Sequence, residues 1–216
     1  MLRYETETRG MGFSRIAGVD EAGRGSLAGP VVASAVVLPA DMAIDGLTDS
    51  KKLSPAAREK YYSIIHVVAL AVGVGIVRED VIDEINILQA SLLAMKQAVA
   101  KLPVPADYLL IDGNRTIESS LPQKAIVKGD SLSLSIAAAS VIAKVARDRM
   151  MDVYHEKFPN YGFDRHRGYG TQLHLDRIKQ FGPCPIHRKT FKGVREYAGT
   201  VPSDTGTPRD ISPERS

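Results

Sequence analysis

Cysteine and tryptophan are almost missing from this 216-residue sequence, which has one cysteine, Cys184, and no tryptophan. A single cysteine cannot form an internal disulfide and favours a reducing compartment, so we expect a cytoplasmic location. Cys184 and His187 form one C-x-x-H pair without a second pair at ligand spacing, which argues against zinc. No apolar run approaches the roughly 20 residues that a membrane helix needs, so we expect no membrane contact.

The sequence also lacks a large excess of either sign of charge, since its formal net charge is only +3. The 44% hydrophobic and 25% charged residues are typical of a globular domain and exclude a wholly disordered or collagen-like chain. The basic residues are nevertheless uneven: eight Lys or Arg and a single acid lie between Arg165 and Arg195. Such an excess is typical of proteins that bind a polyanion, although a solvated basic surface explains it equally well.

The chain length predicts one domain with extensions. We expect residues 1–14 to be a flexible leader, because they carry charges but no apolar periodicity. Residues 15–199 form the predicted folded domain, with a C-terminal helical part at about 160–199. Residues 200–216 combine three prolines with polar residues and are predicted to be a disordered tail. A monomer is the simplest expectation.

Hydrophobic patterning predicts an α/β fold with the order β-β-α-β-α-β-β-α, followed by the helical part. The predicted strands are residues 16–19, 31–38, 67–77, 108–111 and 125–127. The predicted helices are residues 54–65, 79–101 with a break near Asn86, 131–158 and 172–181. The first half of the helix at 131–158 is apolar on nearly every face, which indicates burial. Neighbouring early strands favour antiparallel pairing and later strands favour parallel pairing, so we expect a mixed sheet flanked by helices.

Four carboxylates follow predicted strands or precede the buried helix: Asp20, Glu21, Asp112 and Asp130. If these ends share one sheet edge, the acids would repel one another and raise one another's pKa. Hard divalent cations such as Mg²⁺ or Mn²⁺ resolve that repulsion with an all-oxygen ligand set, and two such ions serve displacement at phosphorus. The alternative for each acid alone is an ordinary turn or cap, where Asp is common.

The segment Gly23-Arg24-Gly25-Ser26-Leu27-Ala28 fits the G-x-G-x-x-G/A pattern of dinucleotide-binding proteins. That interpretation fails because the neighbouring acids would repel a pyrophosphate. It also fails because a strand-like run, rather than a helix N-terminus, follows the glycines. The same loop can instead present backbone N–H and C=O groups to the 2′-hydroxyl of a ribose.

Several motifs together resemble those of bacterial ribonuclease HII, the type 2 ribonuclease H. They are GVDEAGRGSLAGPVVASAVVL (18–38), DSKKLS (49–54), IDG (111–113), KGD (128–130), IAAASVIAKVARD (136–148) and HRGYGT with a later histidine (166–171 and His174). The resemblance covers residues 16–197, nearly the whole predicted domain. It implies a ribonuclease H-like fold with a central mixed five-stranded sheet, flanking helices and a C-terminal helical extension.

The resemblance also implies an activity. Such an enzyme cuts RNA in RNA–DNA hybrids and incises 5′ to single ribonucleotides embedded in duplex DNA, leaving a 3′-hydroxyl and a 5′-phosphate. By motif position, the catalytic and metal-binding acids are Asp20, Glu21, Asp112 and Asp130. The resemblance assigns substrate binding to Gly23, Arg24 and Gly25, which sense the 2′-hydroxyl, to Tyr169 at the ribo–deoxyribo junction, and to Ser50 and Lys51 near phosphates.

Two rival interpretations remain at this point. Ribonuclease HIII carries an extra N-terminal substrate-binding domain, and the fewer than twenty residues before the first predicted strand leave no room for one. A non-catalytic nucleic-acid-binding module is the other rival. The intact acid set argues against it, since clustered unpaired carboxylates weaken binding to a polyanion.

Overall fold

The computed structural model of the chain describes residues 1–40 and 42–199 and has an α/β fold. Its strands are β1 Ile16–Ala22, β2 Val31–Val37, β3 Ala71–Val77, β4 Tyr108–Asp112 and β5 Gln123–Ile126. Its α-helices are α1 Arg3–Gly10, α2 Pro55–Val68, α3 Glu79–Ala100, α4 Leu134–Lys157, α5 Phe163–His166 and α6 Gln172–Phe181. The tail predicted at 200–216 lies outside the described residues.

The five strands form one mixed sheet in the order β3-β2-β1-β4-β5. Strand β2 runs antiparallel to β1 and β3, whereas β4 runs parallel to β1 and β5. The predicted mixed five-stranded sheet is therefore confirmed. The connection between the parallel strands β4 and β5, residues 113–122, contains no helix, so the rule that links parallel pairing to helical crossovers does not account for this pair.

Helix α4 packs closely against β1 because the strand has a glycine at the contact. A Cβ atom on Gly18 would lie 2.0 Å from the carbonyl carbon of Ser135, so any side chain there would push the two elements apart. Residues 134–143 of the helix are all buried, as its apolar sequence predicts. The helix begins at Leu134 rather than at 131, because Ser133 caps it by accepting a hydrogen bond from the Ile136 N–H at 3.3 Å.

Helix α3 covers the opposite face of the sheet and contains the predicted break. Asn86 has a φ of 67°, a left-handed conformation that interrupts the helix. Its side-chain oxygen accepts hydrogen bonds from the N–H groups of Leu88 and Gln89, at 3.0 and 3.2 Å. Asn86 therefore ends one helical piece and caps the next.

The boundary between α2 and β3 differs from the prediction. The helix extends through Val68, so the strand begins at Ala71 and not at residue 67. Val67 is 84% exposed on the last turn of the helix. Two consecutive valines favour a strand locally, but the helix begun at the Ser54 cap continues through them.

The prediction of a flexible leader at 1–14 is wrong for its central part, because Arg3–Gly10 form α1. Glu5 is only 3% exposed. Its Oε1 accepts hydrogen bonds from the Ser133 hydroxyl at 2.6 Å and from the Ser135 hydroxyl and N–H at 2.7 and 2.9 Å. A carboxylate is favourable at the N-terminus of α4. Leu2 and Tyr4 also pack against the core, so polar and apolar contacts together hold the leader.

The C-terminal part is helical, as predicted, and α6 has the predicted bounds. The C-terminal part has a small hydrophobic core of its own, which includes Met151, Tyr161 and Phe163. Over residues 1–40 and 42–199, no helix is long and apolar enough to cross a membrane.

Candidate active site

The parallel register of β1 and β4 brings two of the predicted acids to one edge of the sheet. The last paired residues are Val19 and Ile111, and Asp20 and Asp112 come directly after them. Beyond this point β1 continues alongside β2 through Ala22, so a crevice opens between β1 and β4. The sequence predicts that this strand ends at residue 19, which is wrong because β1 continues through Ala22. Asp20 and Glu21 therefore lie within the strand, and their side chains point to opposite faces.

Asp20 is buried on the α4 side of the sheet, with an exposure of 4%. Burial raises its pKa well above the ordinary value, and the carboxylates of Glu21 and Asp112 raise it further. The Ser140 hydroxyl and the N–H of Glu21, which lies 2.7 Å from Asp20 Oδ1, act in the opposite direction. Asp20 is therefore a carboxylate whose negative charge the protein alone stabilises poorly.

Glu21 is partly buried, and its Oε1 accepts a hydrogen bond from the Arg24 guanidinium at 3.2 Å. Burial raises the pKa of Glu21, Arg24 opposes the shift, and Asp112 adds to it. The Glu21 carboxylate thus shares the electrostatic environment of Asp20 and Asp112, although its side chain projects from the other face of β1.

Asp112 and Asp130 come together through the short 3₁₀ turn Gly129–Ser131. The Gly129 N–H donates to Asp112 Oδ1 at 2.6 Å, which ties the end of β4 to this turn. Asp130 is 7% exposed. Burial raises the pKa of Asp130, and the carboxylates of Asp49 and Asp112 raise it further.

Lys51 lies among these acids, with its Nζ 4.0 Å from Asp130 Oδ2. Desolvation by the surrounding protein acts to lower the pKa of the ammonium. The carboxylates of Asp20, Asp49, Asp130 and Asp112 outweigh that effect and raise the pKa. The ammonium therefore experiences at once the charges of three of the predicted site acids and of Asp49.

The chemistry of this donor set fits a hard divalent cation, since all the donors are carboxylate oxygens with a shortage of positive partners. The side chains are turned toward protein groups instead: Asp112 to Gly129, Glu21 to Arg24 and Asp130 toward Lys51. Consistent with this, the part of the chain that the structure describes holds no group of three His, Cys, Asp or Glu arranged to bind a metal.

The glycine-arginine-glycine loop follows directly after the acids. Gly23 has a φ of +94°, and a Cβ there would lie 2.0 Å from Nε of Arg147, so only glycine fits. At Gly25 a Cβ would meet nothing within 4 Å. The protein itself therefore does not require glycine at position 25, and the open space there leaves room for a ligand backbone.

Tyr169 lies beside this loop. Ser26 and Tyr169 form an isolated antiparallel bridge, and the Leu27 N–H donates to the Gly168 carbonyl at 2.7 Å. The tyrosine ring is 37% exposed and lies near the charged groups of Lys144 and Arg147. The structure thus joins the loop and the tyrosine, which are about 140 positions apart in sequence, into one surface.

Ser50 and Lys51 have different surroundings, although the sequence groups them. The Ser50 hydroxyl is buried and lies 2.8 Å from the Ser140 hydroxyl, so it faces the interior. The Lys51 side chain is 77% exposed. Lys51 is accessible to a phosphate, whereas Ser50 is linked through Ser140 to Asp20.

Comparison with known proteins decides the family. The family model for Ribonuclease HII matches residues 17–194. The chain belongs to the ribonuclease HII family. The Ribonuclease HII of Geotalea uraniireducens is 59% identical over 91% of this chain and 91% of its own length. The Ribonuclease HII of Geobacter metallireducens is 61% identical over 86% of this chain and 87% of its own length.

A solved structure agrees with this assignment. The ribonuclease H2 of Pyrococcus horikoshii superposes with a TM-score of 0.71 at 28% identity, over 85% of this chain and 96% of its own. The ribonuclease H-like fold is thereby confirmed. Ribonucleases HII are divalent-metal-dependent endonucleases of the ribonuclease H type, which act on RNA–DNA hybrids. The dinucleotide, ribonuclease HIII and non-catalytic interpretations are set aside.

Four residues near this ribonuclease HII site escaped sequence analysis as site residues. The Asp49 carboxylate raises the pKa of Asp130, and the Ser140 hydroxyl acts to lower the pKa of Asp20. Arg147 and Arg188, both 0% exposed, bind the carbonyl groups around the glycine loop. Asp49, Ser140 and Arg147 lie within the motifs quoted above, but the sequence does not show which groups they contact in the fold.

The basic stretch is weaker at the surface than its composition suggests. Arg188 is buried, and Arg167 is paired with Asp152. A count of charges along the sequence therefore overstates the positive surface that the C-terminal part offers to nucleic acid.

Proposed function

We propose that this chain incises duplex DNA 5′ to a single embedded ribonucleotide, and also cuts the RNA strand of hybrids, leaving a 3′-hydroxyl and a 5′-phosphate. The observation that supports it best is the crevice between β1 and β4. There the carboxylates of Asp20, Glu21, Asp112 and Asp130 shift one another's pKa, and the glycine-arginine-glycine loop begins three residues after Asp20.

The four acids have different proposed roles. Asp20 and Asp112 are the principal metal ligands, because they flank the crevice at the first unpaired positions of two adjacent strands. Glu21 binds more peripherally from the opposite face, and Asp130 positions the attacking water. Two bound Mg²⁺ or Mn²⁺ ions would supply a water of lowered pKa and stabilisation of the leaving 3′-oxygen.

Ribose recognition falls to Gly23, Arg24 and Gly25. The open space at Gly25 lets a sugar-phosphate chain approach the backbone, whose N–H and C=O groups complement a 2′-hydroxyl that both donates and accepts. Arg24 neutralises Glu21 in the free protein and adds positive charge near the substrate phosphates.

Junction recognition falls to Tyr169, whose half-exposed ring lies beside the loop and can stack on the sugar next to the ribonucleotide. Lys51, exposed at the rim of the acids, contacts a phosphate. Ser50 would act only through its backbone or through Ser140, given its buried hydroxyl. The cytoplasmic location and the monomeric state stay predictions.

The deciding experiment uses three labelled duplexes of one sequence: DNA with one ribonucleotide, an RNA–DNA hybrid, and DNA alone. With Mg²⁺ or Mn²⁺ we expect a nick 5′ to the ribonucleotide and cuts in the hybrid, none in the DNA control and none with EDTA. Cuts in the hybrid alone would refute the embedded-ribonucleotide proposal while leaving the family activity intact.

The assignment of the acids is tested with Asp112→Asn, which keeps the size of the side chain and its acceptor for the Gly129 N–H. We expect cleavage to fall by about a thousandfold or more, as for removal of a group that stabilises the transition state. The matched control is Glu156→Gln, an exposed carboxylate about four turns along α4 from Ser140. Full activity in Asp112→Asn would contradict the proposed ligand role.

A further inference from the structure

Three histidines lie buried behind Tyr169, away from the carboxylate site. His174 and His187 are 0% and 1% exposed, and His166 is 7% exposed. The His166 and His174 rings stack with centroids 4.3 Å apart, and the Nε2 atoms of His174 and His187 are 3.0 Å apart. Burying three imidazoles is costly unless each nitrogen has a partner.

The hydrogen-bond partners determine which nitrogen carries each proton. The Cys184 N–H, which can only donate, lies 2.9 Å from Nδ1 of His187, closer than the Cys184 carbonyl oxygen at 3.3 Å, so this nitrogen is assigned as an acceptor. In a neutral ring the proton then sits on Nε2, which donates to Nε2 of His174. His174 must in turn carry its proton on Nδ1, which lies 2.9 Å from the Tyr169 carbonyl oxygen.

His166 follows the same logic on the other side of the tyrosine. The Gly168 N–H donates to its Nδ1 at 3.2 Å, so its Nε2 carries the proton and donates to the Tyr161 carbonyl at 2.8 Å. The Tyr169 N–H donates to the His166 carbonyl at 2.9 Å. Both backbone groups of Tyr169 are thereby bonded to the histidine cluster.

Burial keeps these rings neutral, as the relay requires. Burial and, after it, the neighbouring histidines together lower the pKa of His174 to about 4 and that of His187 to about 3. An added proton on any ring would place two donors face to face. The cluster is therefore a fixed, uncharged chain of hydrogen bonds from Cys184 to the Tyr169 backbone.

We propose that His174 and His187 are positioning residues for Tyr169: their relay holds the tyrosine backbone rigid so that its exposed ring meets the ribo–deoxyribo junction at a fixed height. This inference rests on the proposed junction role of Tyr169. The Tyr169 carbonyl also accepts a bond from the Thr171 N–H at 2.8 Å, but that bond lies within the same loop. The bond from His174 Nδ1 is the one that joins the Tyr169 carbonyl itself to the buried histidine cluster.

Two substitutions of His174 separate its two contacts. In His174→Asn the amide nitrogen takes the place of Nδ1 and keeps the bond to the Tyr169 carbonyl. In His174→Gln the amide lies near the place of Nε2, keeps the link to His187 and loses Tyr169. We measure the ratio of kcat/KM on DNA with one ribonucleotide to kcat/KM on a uniform hybrid, because this ratio does not change with the active fraction of enzyme.

We expect His174→Gln to lower this ratio about tenfold, the equivalent of about 1.4 kcal/mol, and His174→Asn to lower it far less. Ile65→Ala, a cavity in a separate core, is the control for lost stability alone and should leave the ratio unchanged. Equal losses in the Asn and Gln variants, or no loss in His174→Gln, would overturn the inference.

Tyr169→Ala distinguishes this inference from the role on which it rests. If Tyr169→Ala leaves the ratio unchanged, the junction role itself fails. If it lowers the ratio, adding His174→Gln to it should cause no further loss. A further tenfold loss in the double variant would show that His174 acts independently of Tyr169, and would overturn the positioning role.

A measurement on the unaltered protein covers the case in which a variant fails to fold. Nitrogen-15 NMR of the imidazoles at pH 7 should show the proton of His174 on Nδ1 and those of His187 and His166 on Nε2. The opposite tautomer at His174, or a charged ring, would contradict the relay.

Discussion

The buried guanidinium of Arg188 donates to the carbonyl oxygens of Gly23 and Arg24, at 2.7 and 2.9 Å, across 165 and 164 positions of sequence. In a trans peptide the C=O and the N–H point in opposite directions. Because both carbonyls are drawn toward the buried arginine, the N–H groups of Arg24 and Gly25 point away from it. A residue of the C-terminal part thus sets the direction of the donors proposed to read the 2′-hydroxyl.

The first prediction concerns Arg188→Lys. The substitution keeps the positive charge but replaces a planar fork by a point donor, which cannot serve the carbonyls of Gly23, Arg24 and Gly29 together. We expect the unfolding free energy to fall by about 1–3 kcal/mol, because buried carbonyls lose their partners. We also expect the cleavage rate at an embedded ribonucleotide to fall at least about tenfold. Urea unfolding and single-turnover cleavage measure the two effects. Arg195→Lys, at an exposed position of the same part, should change neither.

A second prediction concerns Asp20→Asn. Burial and two neighbouring carboxylates raise the pKa of Asp20, so its ionised form destabilises the metal-free fold at neutral pH. Removing the charge should raise the unfolding free energy by about 1 kcal/mol or more while abolishing cleavage. Thermal unfolding in EDTA and a cleavage assay test this pair of outcomes. A lower melting temperature in EDTA would contradict the electrostatic account of the crevice.

A third prediction concerns pH. The folded pKa values of His174 and His187, about 4 and about 3, lie below the ordinary 6.5, so the unfolded chain takes up more protons in this range. Their contribution to stability is complete above pH 6.5 and decreases as the pH falls toward 4. In this range the unfolding free energy changes by about 1.4 kcal/mol per pH unit for each histidine.

The raised pKa values of Asp20, Glu21 and Asp130 act in the opposite sense, because these groups gain protons in the folded state first. The effect of the histidines on stability is therefore measured as the difference between the unaltered chain and His174→Gln. Urea midpoints from pH 7 to pH 4.5 should fall more steeply for the unaltered chain than for His174→Gln. Parallel curves would show that His174 is not a buried neutral group.

A fourth prediction concerns the N-terminal helix. Glu5→Ala removes the acceptor for three hydrogen bonds at the start of α4 and leaves buried hydroxyl and N–H donors without it. We expect a loss of about 1–3 kcal/mol in unfolding free energy. Glu7→Ala, on the same helix but in an exposed pair with Arg3, should leave the unfolding free energy nearly unchanged. If Glu5→Ala and Glu7→Ala both change the unfolding free energy only slightly, the interpretation of residues 1–14 as a flexible leader would be restored.

Local signals predicted most of the secondary structure. The bounds of α6, the break at Asn86 and the start of α2 after Ser54 all follow from caps and breakers that act within a few residues. The sequence-based predictions are wrong where residues distant in the sequence determine the local structure. The buried bonds of Glu5 come from residues about 130 positions away, and the valines at the end of α2 read locally as a strand.

The sequence by itself determined the family, the mixed α/β fold and the candidate set of acids, because motifs and hydrophobic periodicity are properties of neighbouring residues. Only the tertiary structure decided which groups share a charge environment. Asp49 with Asp130, Ser140 with Asp20, and Arg188 with the glycine loop meet through folding alone. Electrostatic coupling and hydrogen bonding act over a few ångströms in space, whatever the separation along the chain.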